Sequence, residues 1–359
     1  MHRYSVIEER CVRCGACSSV APSIFEMGER GARALRAPGA ADEERLAEAA
    51  RINCPGQAIS RTRVEGEEAS PVGGVAAERE EASLVGGVAA EGEGLFGRLF
   101  EEAEKVRWRM SDVPWGDIER GWVTPAFLRF VREVALSELT TFSATRRFLS
   151  DMGGDPDFSS WVAVWFYEET KHPDALFRWL AAFDVKIPPR DVLRGRVTSP
   201  FMRSRTGTLV MNVLSELFAS TGYRDLARYT KEPVLAGIFR NLAGDEARHG
   251  ASFYGYARRA IDASQTPEIE RREALKVLYY WVQAADHVEH PVNQFHEKVS
   301  ADPELLAVLR EVGTDYGPVL SQACKLVGTL VDLPLRAPED VLPALRAQGA
   351  GTGAESAGR

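Results

Sequence analysis

The chain has 359 residues and a formal net charge of -8, enough length for two domains and at least one sizeable core, and a charge that argues against a nucleic-acid partner. The N-terminal residues lack the apolar core of a signal peptide, and no apolar run of about 18 residues occurs, so a cytoplasmic protein without a membrane partner is expected. The excess charge is local, since residues 1–60 hold eight acids and eight bases whereas 64–94 hold eight glutamates against the single Arg79.

The first unit, residues 1–63, carries Cys11, Cys14 and Cys17 in a C-x-x-C-x-x-C run and Cys54 followed by Pro55. Tight spacing wraps three thiolates around one inorganic cluster, and the fourth ligand arrives from a distance. Gly15 relieves crowding in the folded-back loop. Residues 42–52 predict a short helix that delivers Cys54 and is stopped by Pro55. A zinc site is the competing reading, but few zinc folds pack three ligands so closely. With these cysteines and the Cys17-Ser-Ser-Val-Ala-Pro-Ser-Ile-Phe25 stretch, the segment resembles the single-cluster bacterial ferredoxins. The resemblance implies an α+β domain with one [4Fe-4S] cluster on Cys11, Cys14, Cys17 and Cys54.

Residues 64–94 change character. Glu68-Ala-Ser-Pro-Val-Gly-Gly-Val-Ala-Ala-Glu78 recurs as Glu81-Ala-Ser-Leu-Val-Gly-Gly-Val-Ala-Ala-Glu91. An acidic, Gly-rich tandem repeat without aromatic residues reads as a flexible linker. Its Gly-Gly pairs follow no strand and open no apolar helix, so they are not a nucleotide loop.

From 95 to 346 the periodicity predicts an all-α domain. Expected helices are Leu95 to Met110, Ala126 to Met152 with Glu138, Phe158 to Asp184 with Glu169 and His172, Thr206 to about Ser220 with Glu216, and Pro233 to Ile261 with Glu246 and His249. Glu268 to Ser300 and Pro303 to Leu330 are expected to pack around them, and 347–359 to form a disordered tail.

Glu169/His172 and Glu246/His249 are Glu-x-x-His pairs, whose spacing puts both side chains on one helical face. Each has a lone Glu about 30 residues upstream, Glu138 and Glu216, set among apolar neighbours where a solvated charge would be out of place. Two lone carboxylates and two such pairs on four helices form the ligand set of a carboxylate-bridged di-metal centre. Hard bridging oxygens and neutral imidazoles suit two iron ions, with a manganese–iron pair still open. Glu168 and Asp245, each preceding a pair's Glu, are placed to accept a His N–H across the bundle. Pro173 predicts a distortion beside the metal. Trp161 and Trp165 read as core, with an electron relay as the alternative, and His287, His290 and His296 as capping or surface residues, with a substrate-pocket role as the alternative.

With Glu138, Glu168-Glu169-x-x-His172, Glu216 and Asp245-Glu246-x-x-His249 in this order, the segment resembles the ferritin-like oxidases that include the soluble acyl carrier protein desaturases. That resemblance implies a four-helix bundle with additional packing helices, bridging roles for Glu169 and Glu246, terminal roles for Glu138 and Glu216, and O2 activation at the reduced metals. It departs at Ala219, where desaturases of the group carry Thr; Thr141, three after Glu138, is counted with Glu168 and Asp245 as a supporting residue. Leu242 stands where aminobenzoate N-oxygenases have a further His. The expected function is a di-iron oxidase with its own ferredoxin donor, desaturating or hydroxylating a thioester-bound acyl chain. N-oxygenation of a small amine and rubrerythrin-like peroxide reduction are the alternatives. No nicotinamide or flavin motif is present, so an external NAD(P)H-dependent ferredoxin reductase is an expected partner, with O2 and the substrate. A homodimer is among the expected assemblies.

Overall fold

The computed structural model describes residues 2–11, 15–28, 30–52, 54, 58–63, 94–195, 204–283 and 291–351. Cys14, linker residues 64–93, His287, His290 and residues 352–359 of the expected tail lie outside them.

The N-terminal region contains β1 (His2–Val6), α1 (Ala16–Val20), β2 (Phe25–Gly28), β3 (Gly31–Ala34), α2 (Ala41–Ile52) and β4 (Ile59–Arg63). β1 pairs antiparallel with β4, Tyr4 opposite Arg61, and β2 with β3, Gly28 opposite Gly31. Tyr4, Ile24, Phe25, Ala47, Ala50 and Ile59 are buried between these pieces. The apolar stripe of α2 makes that burial possible, and its first turn carries Asp42 and Glu43, favourable at a helix start.

The mostly helical body runs through α3 (Leu95–Glu104), α4 (Pro125–Ser137), α5 (Thr141–Met152), α6 (Pro156–Ala181), α7 (Pro189–Gly195), α8 (Arg205–Tyr229), α9 (Pro233–Asp262), α10 (Pro267–Gln283), α11 (Pro291–Ala301), α12 (Pro303–Val312), α13 (Tyr316–Leu330) and α14 (Val341–Gly351). Proline at the first helical position recurs because the missing N–H would have no intrahelical partner there. Thr124, Asp155, Glu232 and Asp302 precede such prolines and accept N–H bonds of the first turn through their side chains.

Several boundaries differ from the sequence expectation. The first body helix stops at Glu104, and residues 105–109 cross toward α6 and α9 instead of continuing to Met110. The expected Ala126–Met152 helix is interrupted at Glu138–Thr140, a 3-10 turn. There Ser137 Oγ donates to the Val134 carbonyl and Thr140 Oγ1 to that of Ser137, local bonds that compete with the regular ladder. α8 continues past Ser220 to Tyr229. The Pro303–Leu330 segment breaks at Gly313, which takes a left-handed φ of 67° and ends α12. Residues 347–351 close α14 and are not tail. α6 is uninterrupted through buried Pro173, because packing on both sides holds a helix that lacks one N–H.

Two hydrophobic clusters define the body. One gathers Phe158, Trp161 and Trp165 of α6 with Ala247 to Ile261 of α9; the other gathers Ala175 to Leu180 with Val234 to Ala243. Glu169/His172 and Glu246/His249 fall at the waist between them. The first cluster also takes in Cys17, Ile24 and Phe25, so the N-terminal region and the body share apolar packing. α1 packs on α9 and α3, α2 on α13, and Arg45 Nη1 lies 2.6 Å from Asp332 Oδ1.

Candidate metal centre

α4 and α5 pack on α6, α6 on α9, and α8 on α9, which brings the six predicted ligands together. Ligand atoms of Glu169, Glu216, Glu246 and His249 lie within 4.8 Å of one another, as do those of Glu138, His172 and Glu246. Glu246 belongs to both groups. Its Oε1 is 3.4 Å from His172 Nδ1 and its Oε2 is 3.4 Å from His249 Nδ1. Glu169 also faces both rings, with Oε1 2.8 Å from His249 Nδ1 and Oε2 4.0 Å from His172 Nδ1. Both imidazoles thus turn Nδ1 inward, their centroids 6.0 Å apart. Glu138, at the interrupted turn, places Oε2 3.3 Å from His172 Nδ1, and its other oxygen accepts the Tyr223 hydroxyl.

Two observations fit this pocket to divalent cations. Glu169 Oε1 is buried close to an imidazole nitrogen yet makes no hydrogen bond, the geometry of two ligands aimed at a common third atom. Moreover, the carboxylates strain against one another. Burial, then the charge of Glu246, pushes Glu169 up to about 7. Burial and the charges of Glu246 and Glu169 push Glu216 well above the carboxylate range. Burial would raise Glu246 too, but His172 and His249 hold it below its ordinary value. Burial opposes protonation of the imidazoles, yet the surrounding carboxylates raise both well above an ordinary histidine. Without metal the site therefore stores protons on Glu169, Glu216 and the imidazoles. Metal bound here would displace them, so loading followed in weakly buffered solution at pH 6 should release protons, and affinity should fall with decreasing pH, including the step through about 7 at which Glu169 takes up its proton. Proton-neutral uptake at pH 6 would contradict this.

The outer ring nitrogens cross over. His172 Nε2 lies 3.3 Å from Asp245 Oδ2, and His249 Nε2 lies 3.0 Å from Glu168 Oε2. Both acids are buried, and burial alone would raise them; Arg248 and His249 keep Glu168 low, and Arg248, His172 and Lys171 keep Asp245 low. Arg107 Nε donates to Glu168 at 2.8 Å, and Arg248 donates to Glu168 at 2.9 Å and to Asp245 at 2.7 Å. Trp108 Nε1 donates to Asp245 at 2.7 Å, and Lys171 sits over the Trp108 ring. Sequence reasoning passed over Arg107, Trp108, Lys171 and Arg248. The signal for two of them is local, since both motifs read acid-Glu-x-base-His: Glu168-Glu169-Thr170-Lys171-His172 and Asp245-Glu246-Ala247-Arg248-His249.

A cavity of about 210 Å³ opens beside the carboxylates, lined among others by Glu138, Glu169, Glu216, Glu246, Ala219 and Gly222. Thr141 Oγ1 and Trp165 Nε1 line it as well, buried and without hydrogen-bond partners. No Lys or Arg lines it among the described residues. His296, read from sequence as a capping or surface residue, also lines it; its Nε2 is 3.3 Å from the Tyr316 hydroxyl, and burial keeps its imidazole toward the neutral form. Trp161 is buried core, with its ring 6.4 Å from that of Trp165. Leu242 and Cys324 are fully buried.

In the N-terminal region Cys11, Cys17 and Cys54 line one recess with Gly15, Ala16 and Ala58. The Ala32 N–H points to Cys11 Sγ at 3.4 Å and that of Ala58 to Cys54 Sγ at 3.3 Å, backbone donors of the kind that stabilise cluster sulfur. The fourth predicted ligand, Cys14, is outside the described residues. Among the described residues no helix is long and apolar enough to cross a membrane. No curated protein and no solved structure shows a significant match to the chain. The family model of the 4Fe-4S single cluster domain of Ferredoxin I matches residues 7–61, so the chain carries a single-cluster ferredoxin domain, implying a [4Fe-4S] cluster and electron transfer, ahead of a mostly helical body.

Proposed function

We propose that the body is a ferritin-like di-metal oxidase, with two iron ions as the first expectation, that oxidises a compact uncharged organic group with O2 using electrons from its own ferredoxin domain. The observation that carries this reading is Glu246, one carboxylate shared by two ligand groups that are each completed by an imidazole. Iron bound there would supply reductive O2 activation. Glu138, Glu169, Glu216, Glu246, His172 and His249 would hold it, while Glu168 and Asp245 orient the imidazoles from outside. Tyr223 fixes one oxygen of Glu138, leaving the other for metal.

The cavity narrows the substrate. A pocket of about 150 Å³ accommodates benzene, so 210 Å³ admits a reacting group of roughly eight non-hydrogen atoms. A short thioester-bound acyl chain or an uncharged amine fits that space. Among the described residues no Lys or Arg lines the cavity to hold a carboxylate or phosphate inside. Peroxide reduction needs no organic pocket of this size, which favours the oxidase. An external ferredoxin reductase remains the proposed source of electrons.

Gly222 supplies a clean probe, because a Cβ added there meets nothing within 4 Å and the residue lines the cavity. Gly222→Leu should fill the cavity and abolish substrate turnover with metal content unchanged. Helix propensity should meanwhile raise stability by about 0.5–1 kcal/mol, measurable by urea denaturation. The central test is iron and acid-labile sulfide analysis of the purified protein, followed by single turnovers of dithionite-reduced protein with O2 and candidate short thioesters or amines. Two irons beyond the cluster, and a product that has gained one oxygen or lost two hydrogens, are expected. Iron confined to the cluster, or rapid peroxide consumption with no organic product, would overturn the proposal.

A further inference from the structure

Gly15 is one of the described residues at which the N-terminal region meets the helical body. It adopts a φ of 77°, and a Cβ there would come within 3.1 Å of Val106 and 3.8 Å of Arg248 Cδ. Its carbonyl accepts the Ser18 hydroxyl at 2.9 Å, tying it to the short helix that carries Cys17. Gly15 therefore lies within a side chain's reach of the Arg248 stem, where α1 packs on α9. The guanidinium at the other end of that side chain bonds Glu168 at 2.9 Å and Asp245 at 2.7 Å. Glu168 continues to His249 Nε2 at 3.0 Å, and Asp245 to His172 Nε2 at 3.3 Å. One side chain thus spans from the cysteine loop to the outer nitrogens of both metal-facing imidazoles.

Neutralising the two acids would not by itself require that reach. Lys171 occupies the matching place in the other motif and lies 3.4 Å from Asp245, but its remaining contacts are with Trp108 and Tyr167. Arg107 also pairs with Glu168, and its guanidinium packs against Phe100 and Tyr167. Of these three cations, Arg248 is the one carried by α9, the helix on which α1 packs. It is 4% exposed, so the route from the loop runs through protein and not through solvent.

We propose that Arg248 is where electrons pass from the ferredoxin domain into the body, with Gly15 lying against its stem in the resting protein. The destination of the electron rests on the di-metal reading above; the docking does not. With both groups bound, one electron would leave the cluster and one would reach the metal pair, with no covalent bond made or broken. An external one-electron donor, dithionite in the test, restores the cluster.

Two variants separate the parts. Arg248→Lys keeps the charge but loses the planar fork that joins both acids; Arg248→Met loses both. In the full chain carrying cluster and iron, Arg248→Lys should leave the cluster's reduction potential near its wild-type value. It should slow reoxidation of the dithionite-reduced cluster by O2 about tenfold, an added barrier of about 1.4 kcal/mol, followed by stopped-flow absorbance. Arg248→Met should move the potential to more negative values, because a positive charge beside the cluster is lost; a purely internal structural role would not move it. An unchanged potential in Arg248→Met would overturn the docking, and Arg248→Lys decides the transfer route if Arg248→Met does not fold. An unaltered reoxidation rate in Arg248→Lys would overturn the route. A wild-type chain without iron in the body, but with the potential shift in Arg248→Met, would overturn the transfer route and the di-metal reading and leave the docking standing.

Discussion

Glu216→Gln should leave the metal-free protein as stable as wild type while removing most of the stabilisation that metal confers. Glu216 is 6% exposed, and burial with the charges of Glu246 and Glu169 pushes its carboxyl well above the ordinary carboxylate range, toward the protonated form. A protonated Glu and a Gln share shape and hydrogen-bonding capacity, so the apo melting temperature should move by less than the equivalent of about 0.5 kcal/mol. The loaded protein differs. One of the four ligands in the Glu169, Glu216, Glu246 and His249 group becomes neutral, and that position should empty on dialysis. Metal at about 100 times its dissociation constant stabilises by about 2.7 kcal/mol, and this increment should shrink in thermal melts with and without Fe(II). Glu246→Gln gives the contrast. Glu246 is ionised against His172 and His249, so its loss leaves two buried imidazoles short of a partner. The metal-free protein should weaken by about 3 kcal/mol, and both positions should empty because this carboxylate belongs to both groups. Equal apo stability of the two variants would contradict the charge assignment, and two retained irons in Glu246→Gln would contradict the site.

The carboxylate and imidazole positions that the structure gathers were legible because a spacing of three on a helix is a geometric statement, and because the same statement is made twice in the chain. The acid and base flanking each pair belong to that repeat as well, and only the acids were read from it. Glu138 shows the limit of periodicity. Its apolar neighbours marked it as inward-facing, but hydroxyl-to-carbonyl bonds from Ser137 and Thr140 turn its backbone out of the regular helix, a competition that hydrophobic spacing does not register. Arg107 and Trp108 escaped notice because they follow the end of α3 and reach the site only through the crossing of residues 105–109. The cavity is a surface assembled from α4, α5, α6, α8, α9, α11, α12 and α13, so no local stretch encodes it. The ferredoxin domain was readable for the opposite reason, its chemistry lying in one short cysteine run.

Glu168→Ala should produce the largest loss of stability of any single change near the site. Its carboxylate is 2% exposed and pairs with Arg107 at 2.8 Å, Arg248 at 2.9 Å and His249 at 3.0 Å. Removing one partner of a buried ion pair leaves a charge in low dielectric without compensation and costs about 3–5 kcal/mol. For a body of this size that corresponds to a fall in melting temperature on the order of 10 °C. Because Arg248 and His249 hold Glu168 below its ordinary range, the carboxylate contributes fully above the unfolded carboxylate pKa and loses its effect only as the pH falls through its depressed folded value. The difference between variant and wild type should thus be constant from pH 6 to 8 and narrow in acid. The exposed Arg147–Asp151 pair is the control, since a separation of four residues on a solvated helix is worth only about 0.3–0.5 kcal/mol. Glu168→Ala should also weaken metal binding by about 10–100-fold, because His249 loses the acceptor that sets its ring. If instead Glu168→Ala melts like Asp151→Ala, water must replace the lost carboxylate, and the outer acids would be solvated groups and not supports of the metal-facing imidazoles.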